Sequence, residues 1–189
     1  MRKHLILLST VFVASCSAQK PVASNGKFRF DFGTERTAKG YTAVTPRDVY
    51  SAEKGFGLDF NTTAKAVDRG GSNALKGDFL SGDTPFYFSV KVPEGNYKIT
   101  LTLGDSEAPS TTTVKAESRR LMLENIKTES GKFRTETFVV NIKDRNIDAS
   151  TKVGLKEREL TKLDWDDKLT LEFDHQTAVN AIEIEKVED

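Results

Sequence analysis

The residues with the clearest potential for chemistry are Gly104, Asp105 and Ser106, which directly follow the alternating segment 97–103. A serine at a strand end can attack an acyl carbon if a histidine base accepts its proton. After the first sixteen residues the sequence contains one histidine, His175, in the context Glu172-Phe173-Asp174-His175. Strands do not alternate with helices around these residues, as they do in α/β hydrolases. We therefore interpret Asp105 and Ser106 as a polar turn between two strands.

The sequence contains few residues of the types that bind transition metals. The chain has 1 Cys and 2 His, so no zinc constellation can be assembled from them. Calcium remains open as a structural ion because it takes carboxylate and carbonyl oxygens from loops. The alternative is that the loop acids are solvated turn residues, and no cofactor is predicted. The loop aspartates concerned are Asp78, Asp144, Asp148, Asp164, Asp166 and Asp167.

Arg119 and Arg120 form a basic pair between two predicted strands. Adjacent guanidinium groups can clamp a carboxylate, such as that of a uronic acid. They can equally pair with Glu117 and Glu124, or dock against another domain. We keep the arginine pair as candidate ligand-binding residues beside these structural alternatives.

Aromatic residues near loops are the second kind of candidate for ligand binding. Tyr41 and Tyr50 lie in an irregular region, residues 33–61, that is rich in Gly, Asp, Asn and Thr. Exposed aromatic rings stack on sugar rings, whereas buried rings would close the ends of the fold. Phe56 and Trp165 have the same two interpretations, and burial is favoured for Trp165 because Leu163 and Leu169 flank it.

Charge and composition exclude several classes of function. The 189 residues include 28 basic and 28 acidic side chains, so there is no cationic excess for general nucleic-acid binding. The hydrophobic fraction of 37% suffices for a packed core. No glycine-rich phosphate loop precedes a helix, so nucleotide binding is not predicted.

The first sixteen residues predict an envelope location. Arg2 and Lys3 precede a short apolar stretch, and Val13-Ala14-Ser15-Cys16 resembles the lipobox of bacterial lipoproteins. On that interpretation residues 1–15 are a signal peptide and Cys16 is lipidated. Residues 16–26 are then a polar tether on the outer membrane or facing the periplasm. The lipid would be the sole membrane contact, and the alternative is an ordinary secretory leader cut near Ala18.

The remainder of the chain has the period of two that is typical of strands. Phe28, Phe30 and Phe32 alternate with polar residues, and residues 86–92 and 97–103 alternate around a Pro93–Asn96 turn. The other predicted strands are 111–117, 121–128, 133–143, 151–157, 168–174 and 179–187. Residues 27–189 therefore predict an all-β, jelly-roll β-sandwich of about nine or ten antiparallel strands. Two segments, 49–54 and 155–162, have room for a helical turn at most.

Several short motifs in order resemble a known module. The chain is similar to the N-terminal galactose-binding-like domain of rhamnogalacturonan acetylesterases, which belong to the SGNH (GDSL-type) hydrolases. The similarity covers roughly residues 27–187. The motifs are Phe30-Asp31-Phe32-Gly33, Gly40-Tyr41-Thr42-Ala43-Val44, Val49-Tyr50, Gly55-Phe56-Gly57, Val92-Pro93-Glu94-Gly95-Asn96-Tyr97, the segment 113–121, Phe138-Val139-Val140-Asn141, the segment 163–170 and Ala181-Ile182-Glu183-Ile184-Glu185.

The resemblance implies a galactose-binding-like sandwich in the bacterial envelope with a role in pectin degradation. In the family a catalytic domain follows the sandwich, whereas this sequence ends at Asp189, so no catalytic residue is carried over. Gly104-Asp105-Ser106 looks like the SGNH nucleophile block but lies inside the sandwich. The resemblance implies an accessory module, with an SGNH catalytic domain or a pectic oligosaccharide containing galacturonate or rhamnose as partner. The alternatives are a stand-alone glycan-binding or scaffolding lipoprotein and a truncated esterase fragment.

Overall fold

The computed structural model describes residues 27–117, 120–160, 165–174 and 176–188, and it folds them into a β-sandwich. Predictions that fall on Cys16, Arg119, Asp164 and His175 lie outside the described residues. The strands are β1 (Lys27–Phe32), β2 (Thr42–Val44), β3 (Phe56–Asp59), β4 (Lys65–Asp68), β5 (Asp78–Ser81), β6 (Phe86–Lys91), β7 (Gly95–Asp105), β8 (Ser110–Ala116), β9 (Arg120–Thr128), β10 (Lys132–Ile142), β11 (Lys168–Asp174) and β12 (Val179–Val187), with one short helix, α1 (Glu157–Leu160).

One layer is a seven-stranded sheet with the order β10-β7-β12-β1-β2, to which β5 and β4 are added beside β12. The last strand, β12, lies in its middle and pairs with β7 on one side and with β1 on the other. A bulge interrupts the β12–β7 register between Val179 and Ala181. The bulge brings Asn180 out of the regular alternation of β12.

The other layer is a five-stranded sheet with the order β3-β6-β11-β8-β9. Its middle strand, β11, pairs antiparallel with β6 and with β8. Both sheets therefore have a C-terminal strand at or near their centre.

The core between the sheets consists of the inward-facing residues of the alternating strands. Phe30 and Phe32 of β1 pack edge-on against Phe88 of β6, with ring centroids 5.0 and 4.9 Å apart. All three side chains are fully buried. The Phe-rich alternation at the start of the chain thus joins the two sheets, as alternation in a sandwich predicts.

The sandwich architecture predicted from periodicity is confirmed, and so are β11 and β12 with their predicted bounds. Strand pairing is antiparallel except between β1 and β2, which run parallel. The parallel pair contradicts a purely antiparallel arrangement. A parallel pair needs a connection that runs back along the first strand. Here β2 has only three residues and pairs with Phe30–Phe32, so that connection has to run back only a short distance.

Twelve strands are present in the described residues rather than nine or ten. The additional strands β2 to β5 have three or four residues each, too few for alternation to be recognised. The predicted strand 151–157 is wrong. Lys152 makes an isolated bridge to Asn146, and Asp148 accepts bonds from the backbone of Ser150 and Thr151, which folds this segment into a turn. In the described residues no helix is long and apolar enough to cross a bilayer.

Candidate functional site

The two candidate tyrosines lie on different sheets. Tyr41 lies over the outer face of the seven-stranded sheet, where its hydroxyl donates to Glu183 Oε1 at 2.6 Å. The same carboxylate pairs with Lys27 Nζ at 2.6 Å. Burial and the hydrogen bond to Glu183 raise the pKa of Tyr41. Tyr41 is therefore part of a structural polar network and does not join Tyr50 in one site.

Tyr50 lies beside the five-stranded sheet because its segment runs along the edge strand β3. The Tyr50 backbone N–H donates to the carbonyl of Leu58 at 2.8 Å. Gly57 permits this approach: a Cβ there would be 2.5 Å from both the Asp48 carbonyl oxygen and the Tyr50 nitrogen. Gly57 has φ +144°, in a region that favours glycine.

Tyr50 belongs to a cluster that we call the aromatic patch, formed by Tyr50, Asp59, Phe60, Tyr87 and Lys168. Lys168 Nζ lies 4.6 Å from the centroid of the Tyr50 ring and 4.7 Å from that of Phe60. The Phe60 and Tyr87 rings meet edge to face with centroids 5.4 Å apart. Lys168 Nζ also donates to Asp59 Oδ2 at 2.5 Å. The patch thus combines three aromatic rings with a mostly buried ion pair.

Phe60 is the most exposed ring of the patch, with 43% of its surface accessible. Its backbone has φ +53°, and that of the next residue, Asn61, has φ +55°. The left-handed region is unusual for phenylalanine, and such conformations cluster at functional sites. The turn directs an apolar ring to the surface beside hydrogen-bonding groups.

The electrostatics of the patch are those of a carboxylate-rich surface. Burial raises the pKa of Tyr50 to about 12, assisted by the charges of Asp167, Asp59 and Asp166. Burial also raises the pKa of Asp166 to about 6, against the hydrogen bond from the Lys168 backbone. For Asp59 burial acts in the same direction, but the hydrogen bonds from Lys168 and Ser89 prevail and lower the pKa. Lys168 is thus neutralised by Asp59, and Asp166 leaves the surface slightly negative at neutral pH.

Arg120 lies at the start of β9 with its side chain exposed, opposite Ala116 of β8. Its predicted companion, Arg119, lies outside the described residues. Glu117, considered as a partner for the pair, is buried and accepts a bond from the Thr170 backbone N–H at 3.0 Å. Arg120 is on the far edge strand of the sheet that carries the patch.

Asp105 is the last residue of β7, and Ser106 begins the bend that leads to β8, so the polar connection between two strands that the sequence predicted is present. The buried Asp105 carboxylate accepts two bonds of 3.0 Å from Arg69 and one of 2.9 Å from the Glu107 backbone. Ser106 is exposed. The carboxylate therefore anchors the loop after β7 to Arg69.

The other predicted residues occupy structural positions. Phe56 is 1% exposed and belongs to the core. Trp165 is half-buried, with Lys143 Nζ 5.5 Å from its ring centroid. Among the described residues, no three His, Cys, Asp or Glu side chains are placed to hold a metal. Of the candidate calcium ligands, Asp144 and Asp148 bond to their own loops and Asp167 pairs with Lys91 at 2.7 Å.

The two sheets have the strand orders given above, and each has one of the last two strands, β12 or β11, in its interior. This arrangement is that of a galactose-binding-like β-sandwich. The family model described as "Beta-agarase/YXIM esterase-like, galactose-binding domain-like" matches residues 28–163, and the chain belongs to this family. The resemblance to a galactose-binding-like domain of esterase-like proteins is thereby confirmed.

Individual relatives agree with this assignment. Beta-agarase A of Zobellia galactanivorans is 29% identical over 150 residues, which are 71% of this chain and 27% of the agarase. The crystal structure of YxiM from Bacillus subtilis matches with a TM-score of 0.62 at 22% identity, covering 86% of this chain and 40% of YxiM. A Bacteroides uniformis beta-glucuronidase shares the fold with a TM-score of 0.55 at 11% identity, covering 86% of this chain and 18% of the enzyme. This chain thus spans well under half of each relative.

Sequence reasoning found Tyr50 but missed Phe60, Tyr87 and Lys168. Tyr87 and Lys168 alternate with core residues on β6 and β11, so their outward direction was readable but their common location was not. The Asn61-Thr62-Thr63 run after Phe60 was the available signal for a turn there.

Proposed function

We propose that this domain is a non-catalytic carbohydrate-binding module that serves an SGNH-type carbohydrate esterase in pectin degradation. The observation that supports it most directly is the aromatic patch on a member of a galactose-binding-like family. The family description names a beta-agarase and an esterase. On this proposal the domain holds a polymeric substrate near a catalytic domain of that kind.

The chemistry of the patch suits a sugar ring. A pyranose has an apolar C–H face that packs on aromatic rings and a rim of hydroxyls that needs hydrogen-bonding partners. Phe60 offers the exposed ring, and Asp59 and Lys168 lie within its reach as acceptor and donor. Charged groups make the stronger hydrogen bonds to hydroxyls.

The charge of the patch favours a neutral sugar over a uronic acid at this position. Lys168 is paired with Asp59, and Lys91 is paired with Asp167, so neither ammonium group is available to a carboxylate without breaking an ion pair. Asp166 adds a negative charge. We therefore propose a neutral, galactose-type ring at the patch, with any galacturonate of a pectic chain bound elsewhere.

Calorimetric titration with a panel of galactose-containing and galacturonate-containing oligosaccharides tests the proposal. We expect a micromolar to millimolar dissociation constant, about −4 to −8 kcal/mol, for the galactose-containing members. Phe60→Ala and Tyr50→Ala should each weaken binding by roughly tenfold or more. Val139→Ala is the matched control, since Val139 is 54% exposed on β10 of the opposite sheet.

Absence of binding to every member of the panel would contradict the carbohydrate-binding function. Binding that survives both aromatic substitutions would place the site elsewhere. Preference for galacturonate, lost in Arg120→Ala, would favour the basic edge of the five-stranded sheet instead.

The accessory role has its own test. We expect the purified chain alone to release no acetate from acetylated pectin, because the Asp105 carboxylate beside Ser106 is bound to Arg69 and to the Glu107 backbone. Acetate release above the level of a Ser106→Ala variant would contradict a non-catalytic role. An antibody blot of the source cells would show whether the domain occurs alone or joined to a larger protein.

We further propose that the chain is anchored to the cell envelope through lipid on Cys16. The support is the sequence Val13-Ala14-Ser15-Cys16 after a basic and apolar leader. Metabolic labelling with a fatty acid should mark the wild-type protein but not Cys16→Ser. Equal labelling of the two proteins would exclude Cys16 as the attachment site.

A further inference from the structure

A row of side chains crosses all five strands of the sheet that carries the aromatic patch. Asp59 of β3 lies opposite Tyr87 of β6, and Tyr87 lies opposite Glu172 of β11. Glu172 in turn lies opposite Lys115 of β8, and Lys115 lies opposite Leu121 of β9. We call these five residues the cross-sheet row. Because neighbouring strands are about 4.8 Å apart, the row is about 19 Å long.

The cross-sheet row lies on the outer face of the sheet. The strand neighbours of Tyr87, Glu172 and Lys115 all belong to the core between the sheets. They are Phe86, Phe88, Leu171, Phe173, Val114 and Ala116. Since successive side chains of a strand point to opposite faces, the three residues of the row point away from the core. Leu121, at the far end of the row, is 52% exposed.

Glu172, in the middle of the row, has an unused hydrogen-bond acceptor. The residue is 7% exposed, and its Oε1 accepts a bond of 2.8 Å from Lys115 Nζ. Within the described part of the chain, Glu172 Oε2 is the only buried side-chain oxygen on these five strands that has no hydrogen-bond partner. Buried polar atoms are nearly always paired, so this one points to a donor from outside the protein, such as a ligand hydroxyl or the water molecule that the hydroxyl displaces.

Buried polar side chains on either side of the row are satisfied within the sheet. Ser89 Oγ and Thr170 Oγ1 are 2.9 Å apart and bond to each other. Thr113 Oγ1 accepts a bond of 3.1 Å from the Asn125 backbone. The missing hydrogen bond is therefore confined to Glu172 and is not a general property of this face.

The two ends of the row are apolar, and its middle is polar. At one end the Tyr87 ring meets the Phe60 ring edge to face, with centroids 5.4 Å apart. At the other end Leu121 offers an exposed aliphatic side chain. An extended glycan presents matching groups, because its sugar rings have apolar C–H faces and carry hydroxyl groups at their edges.

The charges of the row select a neutral chain. Lys115 Nζ lies 2.8 Å from Glu172 Oε1 and 3.5 Å from Asp174 Oδ2, so two carboxylates share its positive charge. Lys168 Nζ is likewise held by Asp59 at 2.5 Å. An anionic sugar would have to break one of these pairs and approach the carboxylates, whereas a hydroxyl group can donate to them.

We propose that an extended neutral glycan chain lies along the cross-sheet row, perpendicular to the strands, with one sugar ring on the aromatic patch. The inference rests on the proposed function, because the patch supplies the first ring-binding position. Further rings of the chain lie over Glu172 and Lys115, where a hydroxyl donates to Glu172 Oε2, and the chain reaches Leu121. The domain thus recognises the interior of a polymer and not a single sugar.

Calorimetric titration of the full chain with the disaccharide and the tetrasaccharide of a linear β-galactan tests the row. The disaccharide covers the patch alone, whereas the tetrasaccharide extends towards Leu121. We therefore expect the tetrasaccharide to bind about tenfold more tightly. Glu172→Gln, which keeps the size of the side chain but removes its charge, and Leu121→Ala should each abolish most of this ratio. Val139→Ala is the matched control for Leu121→Ala, since Val139 is 54% exposed on the opposite sheet, and it should keep the full ratio.

The outcomes separate this inference from the proposed function. No binding of either saccharide would overturn both. Equal affinities for the two saccharides, each weakened by Phe60→Ala, would overturn the inference alone, because the patch would then bind sugar without the row. A tetrasaccharide preference that survives both Glu172→Gln and Leu121→Ala would also overturn it, because the chain would then leave the patch in another direction.

Discussion

At the scale of single residues, Phe60 is held at the surface by a backbone conformation that phenylalanine rarely adopts. Relaxing that turn would be stabilising by itself, yet it would remove the ring from Tyr87 and from the Lys168 ammonium group. The conformation is therefore best understood as part of the patch. Strain of this kind, of order 1–3 kcal/mol, persists when surrounding contacts hold it.

Asp166 provides a pH-dependent prediction. Its pKa is about 6 in the folded protein, mainly because of burial, and 3.8 is its ordinary value. The folded state therefore retains a proton that the unfolded state releases, and this stabilisation is present below pH 4 and lost as pH rises through 6. Asp166→Asn mimics the protonated form, so it should be more stable than wild type at pH 7 by about 1–2 kcal/mol and equal to it near pH 4.

Urea unfolding of both proteins across that pH range measures the effect. Asp148→Asn is a control of opposite sign, because hydrogen bonds from Ser150 and Thr151 lower the pKa of Asp148 to about 2. That variant should be less stable than wild type at pH 7 and converge with it as the pH falls towards 2. A constant difference between Asp166→Asn and wild type at all pH values would show that Asp166 does not have the raised pKa.

At the scale of elements, the predictability of a strand followed its length. The strands β6 to β12 each have six or more residues, enough for the period of two to show, and all were recognised. The strands β2 to β5 were not, because three or four residues form a strand only when a neighbour supplies the hydrogen bonds. Two of the five residues of the aromatic patch lie at the end of the short strand β3: Asp59 is its last residue and Phe60 follows it.

Tertiary contacts explain what the sequence could not reveal about the patch. Tyr50 and Lys168 are more than a hundred residues apart, and their proximity depends on β3 and β11 flanking β6 in the same sheet. The strand order of a sandwich is not readable from alternation. The outward direction of Tyr87 was predictable from its strand, whereas its neighbours were not.

The packing of β1 against β6 gives a stability prediction at this scale. Phe88 is fully buried and contacts both Phe30 and Phe32 across the core. Phe88→Ala should lower the free energy of unfolding by about 3–5 kcal/mol, because it removes buried surface and leaves a cavity. Phe88→Leu, which retains most of the volume, should cost about 1–1.5 kcal/mol.

Denaturant titration measures the free energy of unfolding of each variant. If the slope m is the same for all of them, the differences are changes in stability and not changes in the compactness of the unfolded state. Val139→Ala again serves as the control, since its exposed side chain should change stability by less than about 0.5 kcal/mol. Equal losses in Phe88→Ala and Val139→Ala would contradict the core assignment of Phe88.

At the scale of the whole molecule, the sandwich can form only when the two strands nearest the C-terminus, β11 and β12, are present. β11 lies between β6 and β8, and β12 lies between β7 and β1. Their fully buried side chains include Leu169, Leu171, Phe173, Ile182 and Ile184. The family match ends at residue 163, before both strands, so the matched segment is shorter than the folding unit.

A fragment of residues 27–163 should therefore fail to fold, because both sheets would be split and their cores exposed. The control fragment 27–189, which retains β11 and β12, should unfold cooperatively in urea. Circular dichroism and the dispersion of amide proton signals compare the two. A cooperative transition in the 27–163 fragment would show that β11 and β12 are dispensable.

The central position of β11 and β12 also has a consequence for biosynthesis. A nascent chain emerges from the ribosome with β1 first, and Phe30 has to wait for Ile182, its partner in the β1–β12 ladder. Until then the apolar faces of both sheets lack their middle strands, and pairing over such long sequence separations is slow. The domain therefore folds only after nearly all of it has been synthesised, and its Phe-rich segments stay exposed until then.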